Sequence, residues 1–317
     1  MRISSPAIIT VNGTNVVTAH DPATREATQM ASYDPASRAH SVTATANLIA
    51  VVKASFDEEY GRDKDHLMLY DHVGRPFELW NSAPKDFRNP SIWSLSIHPT
   101  KPIIAVANPL HVGLWDVSQV KQVTSLSLSK TLKVVRFMSD GHLLFGWRDG
   151  SVSIYTLSDD FQQVSSAFKI KCHERPLNDT LALPGSWILT ASDDETVGVW
   201  DAKTGQSVTS LSLHTRAVQS LALHPSGEQF ASASDDRTCA ITSVETFDVL
   251  LRVELQNRVY SCVFGVGDIL YAGVSTCGVF PIHTDSGAID EVLVAEQGTP
   301  VKLAVGVSRS CLLVSFV

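Results

Sequence analysis

A short pattern returns along this chain at an almost constant interval, and a period of that length dictates a fold built from copies of one small unit. The clearest copy runs Trp187-Ile-Leu-Thr-Ala-Ser-Asp193-Asp194-Glu-Thr-Val-Gly-Val-Trp200-Asp201. The next runs Phe230-Ala-Ser-Ala-Ser-Asp235-Asp236-Arg-Thr-Cys-Ala-Ile-Thr242, and a third Leu143-Leu-Phe-Gly-Trp147-Arg148-Asp149-Gly-Ser-Val-Ser-Ile-Tyr155. Each puts an aspartate six residues before the end of a short apolar run. The run ends Tyr70, Trp115, Tyr155, Trp200 and Thr242 lie 45, 40, 45 and 42 residues apart, the spacing of a unit of four short strands. A second marker, Ser94-Leu-Ser-Ile-His98-Pro99-Thr100 and Ser220-Leu-Ala-Leu-His224-Pro225-Ser226, keeps the same phase.

Within a unit the residues alternate as short strands bounded by turn formers, with no sustained helical periodicity, so helices are expected to be almost absent. Strands at 217–222, 228–233, 238–242 and 248–253 define a template that also fits 41–80, 92–127, 132–168, 178–212 and 258–295. Strand-like runs remain at 7–11, 15–20, 27–32, 301–306 and 311–317, five candidates for the four places of one more unit. One of them is therefore expected to be misread or extra. Joining the two chain ends in one sheet removes exposed edges. The expected fold is all-β, a closed β-propeller of about seven four-stranded blades. The whole chain, 1–317, is read as one domain, with 1–32 and 300–317 forming the closing blade.

These residues resemble the WD-repeat β-propeller family. In that family a His before the first strand, a Ser or Thr on the second, an Asp in the following turn and a Trp on the third form a hydrogen-bonded set. The resemblance assigns His173, Ser192 or Thr190, Asp194 and Trp200 to the set in 178–212. It assigns His214, Ser232 or Ser234, and Asp236 in 217–253, with Thr242 in the Trp place. Asp149 and Tyr155 stand without an obvious His in 132–168, and in 92–127 Pro109 occupies the Asp place ahead of Trp115. The implied role of His173, Asp194, Trp200, His214, Asp236 and Asp149 is structural, because a buried Asp needs hydrogen-bonding partners. The family's usual role as an interaction platform is likewise what the resemblance implies.

Ser, His and Asp recur here at the repeat period, whereas a catalytic triad is needed once. No nucleophile elbow, phosphate loop, dinucleotide fingerprint or HExxH motif is present. No enzyme activity and no cofactor are expected. His66 and His72 lie near one strand without the clustering a metal site needs, so no metal is expected either. The five cysteines, Cys172, Cys239, Cys262, Cys277 and Cys311, contain no CxxC pair and read as thiols of a reducing compartment. No apolar run is long enough to span a membrane. A net charge of −8 opposes anionic lipid and nucleic acid, the latter except as part of a complex. Lys130, Lys133 and Arg136 are too few to reverse that. A cytoplasmic or nuclear protein is expected.

The expected function is a non-catalytic protein–protein scaffold, a subunit of a larger assembly that binds proteins or peptides on one rim. The alternative is a propeller-based hydrolase or small-molecule binder using the central channel. On the family's mapping, Trp93, Trp147, Arg148, Arg216, Arg237 and Tyr260 project near that rim, and Trp, Tyr and Arg dominate binding hot spots. The acidic stretch 56–65 is read as a solvated, mobile insertion between two strands.

Overall fold

The computed structural model describes residues 92–265 and 268–293 in full, and seven further strands before residue 92 and two after 299 by their backbone. Every regular element among the described residues is a strand. β1 (Ala7–Val11), β2 (Val16–His20) and β3 (Ala27–Ser32) come first. β4 (Arg38–Ala44), β5 (Leu48–Asp57), β6 (Arg62–Asp71) and β7 (Pro76–Trp80) form a four-stranded sheet in chain order. Four more such sheets follow. They are β8 (Ser94–Ile97) to β9 (Ile103–Ala107), β10 (His111–Asp116) and β11 (Lys121–Ser127), then β12 (Leu132–Phe137), β13 (Leu143–Trp147), β14 (Ser151–Leu157) and β15 (Val164–Lys171). Next come β16 (Leu177–Leu183), β17 (Trp187–Ser192), β18 (Val197–Asp201) and β19 (Ser207–Leu211), and β20 (Val218–Leu223), β21 (Gln229–Ser234), β22 (Thr238–Ser243) and β23 (Val249–Glu254). β24 (Val259–Phe264), β25 (Ile269–Val274) and β26 (Gly278–His283) make a sheet of three, and β27 (Pro300–Gly306) and β28 (Cys311–Phe316) end the chain.

The chain divides into two compact units, Met1–Ile92 with Val263–Val317, and Trp93–Cys262. In the first, β27-β28-β1-β2-β3 form one five-stranded sheet, with β28 parallel to β1 from Ala7 opposite Cys311 to Val11 opposite Ser315. All five terminal runs thus find a place, because a sheet can add an outer strand without disturbing those inside it. Two sequence expectations need correction. The unit 258–295 has three strands among the described residues, with only an isolated bridge from Ile282 to Ile289 where a fourth was expected. The stretch 56–65 is not a loop: β5 and β6 stay paired out to Asp57 opposite Arg62, leaving only 58–61 to connect them. Charged residues on an extended ladder read from sequence as an insertion because their alternation carries no apolar signal.

In the second unit, neighbouring sheets pack through apolar side chains on their facing sides. Ile103, Ala105, Val112 and Leu114 meet Leu132, Val135, Leu143 and Phe145. Val134, Leu144, Val152 and Ile154 meet Leu177 and Ile188, and Leu189, Val197 and Val199 meet Val218, Leu221 and Phe230.

The first strand of each sheet has one edge with no partner strand, so its outward amides need other acceptors. Those of β12, β20 and β24 find them one repeat earlier. Ser94 Oγ accepts from Val135 N at 3.1 Å and Ser96 Oγ from Phe137 N at 2.8 Å. Asp179, fully buried, accepts from Leu221 N at 3.1 Å, and Ser220 Oγ accepts from Cys262 N at 3.4 Å. Arg136 closes the remaining gap, donating from Nη2 to Asp179 Oδ1 at 2.8 Å and from Nε to Thr180 O at 2.9 Å. One carboxylate therefore links three sheets.

Removing one partner of a buried ion pair leaves the other uncompensated, so Asp179→Ala is expected to cost about 3–5 kcal/mol in urea unfolding. Asp179→Asn keeps an acceptor oxygen and should cost less; equal losses for the two would show that the retained acceptor contributes nothing and that the loss lies in the charge alone.

Candidate functional site

One end of the strands in the second unit collects the turns between second and third strands and the loops that enter each sheet. At the best-matched copy, four side chains form one chain of hydrogen bonds. Trp200 Nε1 donates to Thr190 Oγ1 at 2.9 Å, Thr190 Oγ1 and His173 Nε2 are bonded at 2.7 Å, and His173 Nδ1 donates to Asp194 Oδ2 at 2.7 Å. Thr190 is thus the hydroxyl of the set. Ser192 instead donates to Pro176 O at 3.0 Å and accepts from Asp194 N at 3.1 Å, tying turn to loop. Burial works against an ionised Asp194, yet donors from Thr196 and His173 hold its carboxyl below the usual range.

The next copy repeats the set without the indole. His214 Nδ1 donates to Asp236 Oδ2 at 3.0 Å and Nε2 accepts from Ser232 Oγ at 2.8 Å, while Ser234 ties turn to loop. Burial lowers the His214 pKa, with Asp236 opposing, so the ring is neutral and its Nδ1 carries the proton. Thr242 stands where Trp200 stands in its neighbour, for a steric reason. A Cβ on Gly198 would lie 2.5 Å from Trp200 Nε1. Gly113 bears the same relation to Trp115, at 2.8 Å. The corresponding residue before Thr242 is Ala240, whose methyl occupies the space an indole would need.

The copy at 143–155 replaces the polar set with aromatics. Phe145 lies where Thr190 lies, 4.6 Å from the Tyr155 ring and 5.9 Å from Trp147. Trp147 Nε1 donates to Ser153 Oγ at 2.9 Å. Trp147 is only 5% exposed and belongs to the core, so it does not project from the rim as the sequence mapping had it. Its turn aspartate has a lysine in the histidine's role: Lys130 Nζ lies 2.7 Å from Asp149 Oδ2. In the copy before it, Asn108 holds the turn, accepting from Leu110 N at 2.9 Å and His111 N at 2.7 Å. Neither the lysine nor the asparagine was found from sequence, since each stands outside the repeat's expected residue types.

Of the other rim candidates, Arg148, Arg216 and Arg237 are exposed, Trp93 is 38% exposed, and Tyr260 is half-buried. Arg237 occupies the left-handed residue of its turn, at φ 73°, as Gly150 and Glu195 do in theirs. Lys133 lies over the Trp93 ring at 5.8 Å. Arg136, counted with Lys130 and Lys133 in the sequence, turns away to Asp179. His66 lies on β6 and His72 outside the described residues.

A profile of the family described as "WD domain, G-beta repeat" matches residues 168–201 and 205–243. The chain is 26% identical to eukaryotic translation initiation factor 3 subunit I of Candida albicans over 50% of its own length and 52% of that protein's. It is 28% identical to Protein HIR1 of Eremothecium gossypii over 38% of its length and 15% of that protein's. It is 30% identical to the chromatin assembly factor 1 subunit FAS2 homolog of Oryza sativa subsp. japonica over 47% of its length and 33% of that protein's. The matched region thus spans about half or less of each of these relatives.

Two outcomes follow from this geometry. A histidine whose folded pKa is depressed contributes stability above its unfolded value and loses it as pH falls, so the urea midpoint should drop as pH is lowered from 6.5, the unperturbed value for His214. A midpoint that stays level on acidification to about pH 5 would contradict a neutral buried ring. Gly198→Ala should cost about 1–3 kcal/mol through displacement of the indole, and less in a Trp200→Thr background, as a double-mutant cycle would read.

Proposed function

We propose that this chain, which carries WD repeats of the G-beta type, is a non-catalytic scaffold that binds other proteins or peptides on the rim bearing its turn aspartates. The observation that carries the reading is a division of labour at that rim. The Ser or Thr, His and Asp side chains that resemble catalytic groups recur from copy to copy and are bonded to one another. The exposed side chains beside them, Arg148, Arg216 and Arg237, make no contribution to the core and are of a type enriched in binding hot spots. Trp93 and Tyr260 extend the candidate surface.

Two of the relatives are named as subunits, one of a translation initiation factor and one of a chromatin assembly factor. Membership of a multiprotein assembly, in cytoplasm or nucleus, is the corresponding proposal for this chain. The proposal takes residues 1–317 as one closed propeller of about seven blades. Support comes from the repeat period and from the entry of both chain ends into one sheet. The channel reading finds no support among the described inner-strand residues, where Arg136 and Asp179 are paired with each other.

The test is charge reversal at the exposed arginines, leaving the buried Trp147 untouched. Arg148→Glu, Arg216→Glu and Arg237→Glu combined should reduce partner recovery under mild salt while the β-rich circular dichroism spectrum is unchanged. Full recovery with the triple variant would remove this rim from the reading.

A further inference from the structure

Three segments cross at the rim of the β12–β15 sheet, and they carry a charge opposite to that of the chain. They hold Lys130, Lys133, Arg148, Lys169, Lys171 and Arg175 against Asp149 and Glu174, in a chain whose net charge is −8. The crossing is tight. Arg148 N donates to Thr131 O at 3.0 Å, and Cys172 N and His173 N donate to Gly150 O at 3.0 and 2.9 Å. Gly150 has a φ of +80°, and a Cβ there would lie 2.2 Å from His173 O, so no other residue fits. The cations are therefore mounted on a backbone whose geometry is fixed before any ligand arrives.

Within this platform one aspartate gathers three ammonium groups, two at its carboxylate and one at its main-chain carbonyl. Lys130 Nζ is 2.7 Å and Lys169 Nζ 3.6 Å from Asp149 Oδ2, and Lys171 Nζ donates to Asp149 O at 2.7 Å. Ser151 hydroxyl and amide also donate to Oδ1. Burial alone would raise the Asp149 pKa, but these donors hold it far below the usual carboxylate range, so Asp149 stays ionised. With Glu174 Oε2 3.8 Å from Lys171 Nζ, two carboxylates face three lysines, which leaves the cluster in excess. Burial lowers the Lys169 pKa, and the nearby Lys130 charge adds to the lowering, while Asp149 opposes it. The three lysine side chains are 56%, 41% and 50% exposed, so the excess faces solvent.

We infer that this cationic platform is the docking point for an acidic, Glu- and Asp-rich segment of a partner protein, whose carboxylates share the lysines that Asp149 alone does not neutralise. The inference rests on the scaffold reading and adds the chemistry of the partner. Lysine is a compact, mobile point charge suited to carboxylates of varied spacing. A nucleic acid fits less well. Trp147 lies beneath Lys169, 5.2 Å from its Nζ, and is buried, and the exposed Trp93 beside Lys133 is a single ring, so the described residues of the platform offer no row of rings for base stacking. The rest of the chain repels a long polyanion.

The test uses the full chain, a fluorescein-labelled peptide of about twelve Glu and Asp residues, and an oligouridylate of about the same length as the competing polyanion. The wild type should bind the peptide at low ionic strength and lose it as salt rises. Lys130→Glu with Lys171→Glu should weaken binding by about tenfold or more, and Lys130→Gln, Lys169→Gln and Lys171→Gln combined should weaken it without introducing new repulsion. Lys203→Glu, at the opposite end of the strands, should leave it unchanged. Absence of peptide binding, undiminished binding by both lysine variants, or a preference for the oligouridylate each overturns the inference. If it fails while partner recovery still depends on Arg216 and Arg237, only the partner's chemistry is wrong; loss of that dependence too removes this rim from the scaffold reading.

Discussion

The unpaired edge of each sheet's first strand is the constraint from which the rest of the second unit follows. A backbone amide buried at such an edge must have an acceptor, and a repeating chain supplies one from the preceding copy at a fixed distance in sequence. Ser94 serves Val135, Asp179 serves Leu221 and Ser220 serves Cys262, at separations of 41, 42 and 42 residues. Once those contacts are set, the facing apolar sides of adjacent sheets are in register. The residues that pack there then need only be of suitable size. The serines of the first-strand runs are thus interface groups, although in a single copy they look like polar residues misplaced on a buried strand.

The turn between second and third strands poses a second requirement, and the copies meet it by different means. Donors are needed for an aspartate close to the incoming loop, and His173, His214 and Lys130 provide them in turn. The change to lysine follows from what lies below. Where Thr190 or Ser232 can donate to an imidazole, a buried histidine is satisfied at both nitrogens. Phe145 offers no such hydroxyl, so a histidine there would bury an unmatched nitrogen. Lys130 brings its charge from the solvent side instead, with its side chain 56% exposed. The aromatic set and the lysine are therefore one substitution in physical terms, made at two places.

Much of this was visible in the sequence, and the exceptions share a cause. The period located the four-stranded sheets, since strand spacing is imposed by chain length per repeat. The His-Pro markers kept phase because the histidine caps its turn: His98 Nδ1 accepts from Thr100 N at 3.1 Å and Lys101 N at 3.0 Å, and His224 Nδ1 from Ser226 N at 3.2 Å. Choosing between Thr190 and Ser192 was beyond sequence, because residues two apart on a strand share a face and both are hydroxyls. Trp147 was misplaced because a sequence does not give the register. An aromatic next to a turn reads as exposed until the register shows its ring against Phe145 and its N–H on Ser153. Lys169 and Lys171 escaped notice because they are distant in sequence from Asp149. Pairing of Ser151 with Lys171 and Ser153 with Lys169 brings them to it.

The separation between what each turn must keep and what it is free to vary shows how a rigid interior can carry a variable surface. At each turn the aspartate, its donor and the serine that ties turn to loop are committed to one another. Their neighbours are not. Arg148 precedes a turn aspartate, Arg216 follows the His214 loop and Arg237 takes a left-handed position in its turn, and all three extend into water. A long cationic side chain at such a site remains hydrated, so exchanging it alters little in the folded state. Its position is nevertheless fixed by the buried bonds a residue or two away. Under the proposed scaffold role, specificity then changes through exposed residues alone, on a backbone whose geometry is held by Gly150, Asp194 and Asp236.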